Sequence, residues 1–268
     1  MKFIHLTDPH ITASGSLFEI DVDARLRDAV ASINTHHSDA AFAMITGDIA
    51  HWGEAGAYAR VQEILSDLKM PWYPMIGNHD IRDAYFTGLP DAKSNGAGQA
   101  CFVVNNDAGA FIALDTLTEG THAGQIDAAQ MQWLDNALSQ ASGSVFLFMH
   151  HPPMLSGIQA LDNIRLQNSD ELWALLSRHS GKVRHLFFGH MHRSFHGSWN
   201  GIPFSTVKSI AHQVVADINQ DKPLVSSREM PAYAVVLISS DTVAIHDISY
   251  LEEHTAFAYD RENGRPEE

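Results

Sequence analysis

Cysteine, basic side chains and long apolar runs are all scarce in this 268-residue chain. The single cysteine, Cys101, cannot close an internal disulfide, so the fold does not depend on an oxidising compartment. It sits in the strand-like run Cys101-Phe102-Val103-Val104 and reads as a buried structural thiol. Lys and Arg total 17 against 32 Asp and Glu, a net charge of −15. That balance argues against a nucleic-acid polymer as partner, because such a footprint needs a basic face. An anion bound by so acidic a chain needs positive charge supplied locally, and bound metal ions are one source. No stretch approaches the ~20 apolar residues of a membrane span. The first strand-like run follows a lysine directly, with no signal-peptide apolar core. The expectation is a cytoplasmic protein with no membrane partner; its oligomeric state stays open, a homo-oligomer included.

Histidine, by contrast, is plentiful: 17 residues, equal to the Lys and Arg total. Several fall in five short polar fragments: Asp8-Pro9-His10, Gly47-Asp48, Gly77-Asn78-His79-Asp80, His150-His151-Pro152-Pro153 and Gly189-His190-Met191-His192. Each closes a hydrophobic run: Phe3–Leu6, Ala41–Ile45, Trp72–Ile76, Val145–Met149 and Leu186–Phe188. Short continuous apolar runs of this kind predict strands buried on both faces. The polar fragments then lie at the strands' carboxyl ends, the edge where open α/β sheets bind ligands.

Helical patterns alternate with these strands. Val22, Leu26, Val30 and Ile33 share a face, with Asp21 available as N-cap. Tyr58, Val61, Leu65 and Leu68 form a second face ending before Pro71. Met131, Leu134 and Leu138 mark a third helix, and Leu172, Leu175 and Leu176 a fourth. All four stripes read as core. A hairpin is predicted from Ala100–Val104 to Ala110–Leu114 through the turn Asn105–Gly109. After Ser194 the pattern becomes β, with an Asn200-Gly201 turn and two strands, Ala232–Ser239 and Thr242–Tyr250. An α/β chain of two packed sheets with helices outside is expected, as one domain over residues 1–251. The acidic stretch 252–268 reads as a mobile surface tail.

Carboxylates, an amide and imidazoles gathered on one sheet edge suit hard or borderline divalent metals. Asp8 and His10 can converge on one ion, and Asp48 can bridge two through its two oxygens. Asn78 offers a neutral carbonyl oxygen, and His150, His190 and His192 complete two shells. Two ions about 3.5–4 Å apart clamp both sides of a phosphoryl displacement. Alone, each fragment is weak: Asp-x-His is common by chance, and Gly-Asp is an ordinary turn. Five in this order carry the argument.

The series D-x-H, G-D, G-N-H-D/E, H and G-H-x-H resembles the calcineurin-like metallophosphoesterases over roughly residues 1–215. That resemblance implies a four-layer α-β-β-α sandwich of two mixed sheets. It implies one ion on Asp8, His10, Asp48 and His192, and a second on Asp48, Asn78, His150 and His190. The metals would be two divalent or trivalent ions, with Mn, Fe, Co and Zn all compatible. His79 matches the family's non-ligating histidine, with a catalytic and substrate-binding role.

Finer matches, Gly47–Ala50 with Gly53-Glu54 and Tyr58, and Met149–Pro153, are similar to class III cyclic nucleotide phosphodiesterases and bacterial glycerophosphodiesterases. Ser205-Thr206 with His212-Gln213-Val214 is similar to the latter branch. No Asp-Arg-Gly follows Gly47-Asp48, and Asp80 stands where Ser/Thr protein phosphatases carry Glu, so that activity is not expected. His151 and His212 are further candidates for substrate contact; His51, Trp52 and His122 stay unassigned.

The expected reaction is hydrolysis of a small phosphodiester by a metal-bound hydroxide, with His79 stabilising the phosphoryl oxygens and protonating the leaving alkoxide. No Arg or Lys clamp stands in the motifs, which favours a singly charged diester over a dianionic monoester. Cyclic 3′,5′-nucleotides come first and glycerophosphodiesters second. A phosphomonoesterase, a nuclease, a metal store and a non-catalytic scaffold are the competing readings.

Overall fold

The computed structural model describes residues 1–218 and 222–251; the expected tail at 252–268 lies outside them. In chain order the main strands are β1 (Lys2–Leu6), β2 (Ala43–Ile45), β3 (Trp72–Pro74), β4 (Phe102–Asn106), β5 (Gly109–Leu114) and β6 (Val145–Met149). They continue with β7 (Val183–Phe188), β8 (Phe195–Trp199), β9 (Ile202–Thr206), β10 (Tyr233–Ile238) and β11 (Val243–Ile248). The helices are α1 (Val22–His36), α2 (Ala55–Leu65), α3 (Arg82–Gly88), α4 (Ala128–Gln140), α5 (Gln159–Asp162) and α6 (Ser169–Arg178).

Two sheets result, in the orders β11-β10-β1-β2-β3 and β8-β9-β7-β6-β5-β4. β1, β2 and β3 run parallel, as do β5, β6 and β7. β10 pairs antiparallel with β1, which makes the first sheet mixed. The alternation of side chains decides the layering. Phe3 of β1, Phe146 and Phe148 of β6 and Phe187 of β7 join Met44, Phe42 and Phe111 in one cluster between the sheets. Their neighbours Ile4 and Leu6 turn outward onto α1 and α2. Leu147, Met149, Leu186 and Phe188 do the same against α4 and α6. The result is the predicted α-β-β-α sandwich. Because both faces of each central strand are covered, the runs read as continuously apolar.

Asp21 caps α1 as expected, accepting from Ala24 N–H. Three details depart from expectation. β3 is an edge strand, so Trp72 and Tyr73 are half-buried rather than covered on both faces. α2 ends at Leu65, and Leu68 packs from the following turn. Asn105 and Asn106 belong to β4, which leaves a tighter Asp107-Ala108 turn. The Asn200-Gly201 turn is as predicted, with both residues at positive φ (49° and 86°). Cys101 is fully buried, and burial pushes its thiol up to about 12, as an inert packing residue requires. No described helix is long and apolar enough to cross a membrane.

His185 of β7 also faces the inter-sheet layer, with Nε2 2.9 Å from Ser205 Oγ and its ring 4.4 Å from that of Phe187. Burial, helped by nearby His196, pushes its imidazole down to about 4. A base with a depressed folded-state pKa binds fewer protons folded than unfolded. Its contribution is therefore complete above pH ~6.5 and drains away as pH falls toward 4. Between pH 7 and 5 the wild type should lose about 2 kcal/mol more stability than His185→Gln. Urea midpoints of the two proteins at both pH values check this; parallel losses would refute it.

Candidate metal centre and its cleft

All five polar fragments emerge at the carboxyl ends of β1, β2, β3, β6 and β7 and meet at one end of the sandwich. Within each sheet, neighbouring loops are stitched there by backbone. Asp8 N–H donates to Gly47 O, His10 N–H to Asp48 O, and Gly189 N–H to His150 O. His190 N–H reaches across to the Asp8 carboxylate at 3.1 Å. Gly77 is required by proximity: a Cβ there would lie 2.2 Å from both Asp48 N and Asp48 Oδ1.

Backbone strain singles out the same place. Eight described non-glycine residues have left-handed φ, and five of them are Asp8 (51°), His10 (45°), Asp48 (49°), His190 (67°) and His192 (50°). Residues held there cost of order 1–3 kcal/mol each, and such strain persists where the surroundings over-determine it, often at functional sites.

Asp8, His10, Asp48 and His192 place ligand-type atoms within 4.8 Å of one another, and all four are buried. His10 Nε2 lies 3.0 Å from His192 Nε2 and 3.5 Å from Asp48 Oδ2. On the other side of Asp48, His150 Nε2 is 3.3 Å from the same Oδ2. Asn78 Oδ1 sits 3.0 Å from His150 Nε2 and 2.9 Å from His190 Nδ1. The seven residues therefore form two groups sharing one carboxylate oxygen.

This donor set fits metal ions on its own chemistry. His190 Nε2 is buried and has no hydrogen-bond partner. His150 and His192 each donate Nδ1–H to a backbone carbonyl, Thr46 O at 2.8 Å and His212 O at 2.7 Å. Ligating histidines are characteristically oriented this way, leaving Nε2 for the ion. Burial holds His10 and His190 well below the ordinary imidazole value, so both present neutral lone pairs. Burial alone would push Asp48 up, but the facing His150, His79 and His10 outweigh it and hold the carboxyl well below its usual range. Burial would likewise lower His150; Asp48 outweighs it and takes the ring up to about 9.

Asp80 lies behind this layer. It accepts from Ile49 N–H, Ala50 N–H, Gly77 N–H and the Tyr58 hydroxyl, tying the second loop to the third. His79 is half-buried at the cleft, its Nδ1 2.9 Å from His51 O and its ring stacked on His51 at 4.7 Å. Nδ1 is thus occupied, and Nε2 is left free of that bond.

Two openings flank His79 and share His51, Asn78 and His122. The narrower, about 350 Å³, is walled by Phe18, Leu161, Val214 and His212. The wider, about 650 Å³, is walled by Trp52, Ile81, Leu117 and Glu119. No Arg or Lys is among the described residues lining either. His212 lines the cleft with Nδ1 unpartnered.

His151 is placed behind the cleft. Its ring is fully buried beside His190, with Nδ1 2.7 Å from Thr116 Oγ1 and Nε2 3.1 Å from His122 O. Both nitrogens are engaged by these partners, which tie the ring to the His122 loop. Sequence reasoning left His51 and His122 unassigned, yet both line the openings. His51 Nδ1 is 2.9 Å from His10 Nδ1, and His122 Nδ1 is 2.9 Å from Asn78 Nδ2. Their only sequence signal is nearness to a motif (His51) or a Gly-flanked loop (His122).

The family model described as calcineurin-like phosphoesterase matches residues 1–194. The chain belongs to the calcineurin-like phosphoesterase family. It is 38% identical over 263 residues to a probable cyclic nucleotide phosphodiesterase of Rhodopseudomonas palustris, covering 96% of each chain. It is 29% identical over 227 residues to a probable glycerophosphodiester phosphodiesterase, GpdQ, of Arcobacter nitrofigilis, covering 82% of each. Among solved structures, GAP50 of Plasmodium superposes with a TM-score of 0.65 at 15% identity, covering 95% of this chain and 86% of that one, a likeness of fold.

Proposed function

We propose that this chain is a metal-dependent phosphodiesterase acting on small phosphodiesters, 3′,5′-cyclic nucleotides first and glycerophosphodiesters second. The observation that carries it is the pair of donor groups sharing Asp48 Oδ2 at the floor of a cleft lined by imidazoles and, among the described residues, by no Arg or Lys. Asp8, His10, Asp48 and His192 would hold one ion, and Asp48, Asn78, His150 and His190 a second. Ions held there would supply Lewis acidity toward phosphoryl oxygens and water. The rest falls to the chain's own groups. His79 Nε2 hydrogen-bonds the phosphoryl group and protonates the departing alkoxide, while the His51 carbonyl fixes its ring. His212, whose ring lines the narrower opening, offers a second contact to the ester oxygens.

A monoester dianion calls for Arg or Lys partners, and none is among the described residues lining either opening, whereas a diester monoanion does not. The relatives in both phosphodiesterase groups support the substrate ranking. The reading takes residues 1–251 as one working unit in the cytoplasm, without nucleic-acid or membrane partners. Steady-state kinetics on cyclic AMP, glycerophosphocholine, a nitrophenyl diester and a nitrophenyl monoester test it. The expected result is a kcat/KM for at least one diester well above that of the monoester. A monoester preferred over every diester would overturn the proposal, and slow cyclic AMP turnover alone would move it to glycerophosphodiesters.

A further inference from the structure

Behind the cleft, in the layer between the sheets, four side chains form a continuous line. His5 Nε2 is 2.9 Å from Thr46 Oγ1, Thr46 Oγ1 is 2.8 Å from Thr7 Oγ1, and Thr7 Oγ1 is 2.5 Å from Asp8 Oδ2. His5 is 1% exposed, and the other three are at 0%. We infer that His5, Thr46 and Thr7 are a directed hydrogen-bond relay whose task is to position the Asp8 carboxylate as a ligand. This inference rests on the two-ion reading proposed above.

The direction follows link by link from what each group can do. An ionised carboxylate only accepts, so the Thr7 hydroxyl donates to Asp8. Thr7 Oγ1 then accepts the Thr46 hydroxyl proton, and Thr46 Oγ1 accepts from His5. His5 must therefore carry its proton on Nε2. Burial pushes its imidazole down to about 3, which leaves a neutral ring with one N–H to give.

The relay is held rigidly at both ends. The His5 ring packs edge-on against Phe148 and Phe187, with centroids 6.4 and 5.6 Å away. At the other end a Cβ on Gly189 would lie 2.3 Å from Thr7 Oγ1, so the backbone of the next loop pins the hydroxyl. Thr7 holds Asp8 Oδ2, and the His190 N–H braces the carboxylate. Oδ1 is left 3.3 Å from His192 Nε2, facing the donors of the first group. Three buried polar side chains behind an anion are costly unless every link is made. Only Asp8 is served by this line. The second group touches Thr46 through its backbone carbonyl, which accepts from His150 Nδ1–H and survives any side-chain change there.

Cobalt(II) titration of the metal-free full chain, followed by visible absorption, tests the relay. Thr46→Val removes the hydroxyl while keeping shape and carbonyl. It should weaken by 10–100-fold the cobalt step that Asp8→Asn removes, the usual effect of losing a partner behind a ligand. The other step should stay within about threefold of wild type. Thr46→Ser should restore the affected step, which a packing role of the methyl group would not. His5→Phe keeps the ring packing, should weaken the same step, and carries the test if Thr46→Val does not fold. Both steps unchanged, or both weakened equally, would overturn the relay. A wild-type curve with one step would instead overturn the two-ion reading. The relay is then judged on that step by the same Asp8→Asn and Thr46→Val comparison.

Discussion

Asp48→Ala is expected to leave less than half the wild-type metal per chain and to lower kcat/KM by ~10³-fold or more. Asp48 Oδ2 faces His10 Nε2 on one side and His150 Nε2 on the other, so one carboxylate stands between both donor groups. Charge stabilisation by bound ions is worth several kcal/mol, and each 1.36 kcal/mol is tenfold in rate. The substitution also strips the metal-free protein of the anion that raises His150. Asp8→Ala and His190→Ala, each in one proposed group, should lose about one ion only. Elemental analysis of the three purified variants decides the point. Full occupancy in Asp48→Ala would sink the bridging role, and circular dichroism guards against simple misfolding.

His79→Ala should behave in the opposite way: wild-type metal content with a loss of roughly 10²–10⁴-fold in kcat, the range of general acid–base help. His79 stands outside both proposed ligand sets, and its Nδ1 is engaged by the His51 carbonyl. That leaves Nε2 at the cleft as the atom able to protonate a leaving oxygen. Alkoxide leaving groups need that proton and nitrophenolate hardly does, so the loss should be far smaller for a nitrophenyl diester than for an alkyl diester. Equal losses on both substrates would mean that His79 only positions the phosphoryl group. Depletion of metal would place it in the coordination shell instead.

Much of this molecule was legible in one dimension because its signals are local. A strand covered on both faces must be apolar along its whole length, so Val145–Met149 announces itself, and whatever follows it must lie at a sheet edge. A ligand fragment such as Gly-His-Met-His is likewise complete within four residues. Asp21 before a 3.6-residue stripe marks a helix start for the same reason. β3 was misjudged because an edge position is a property of the sheet, not of Trp72–Pro74.

The cleft's chemistry divides along the same line. By itself the sequence determined which residues carry ligand-type atoms, in what order they occur, and that no Arg or Lys stands within those fragments. Only the tertiary structure decided that Asp48 Oδ2 lies between two histidines, that His151 turns away to Thr116 and His122, and that His51 abuts His10. It alone aligned His5 with Thr46, 41 residues away, behind Asp8. The physical reason is the direction of a side chain. Sequence spacing limits where a backbone can go, but hydrogen bonds and left-handed turns at Asp8, His10, Asp48, His190 and His192 aim the nitrogens and oxygens, and those are set by neighbours remote in the chain.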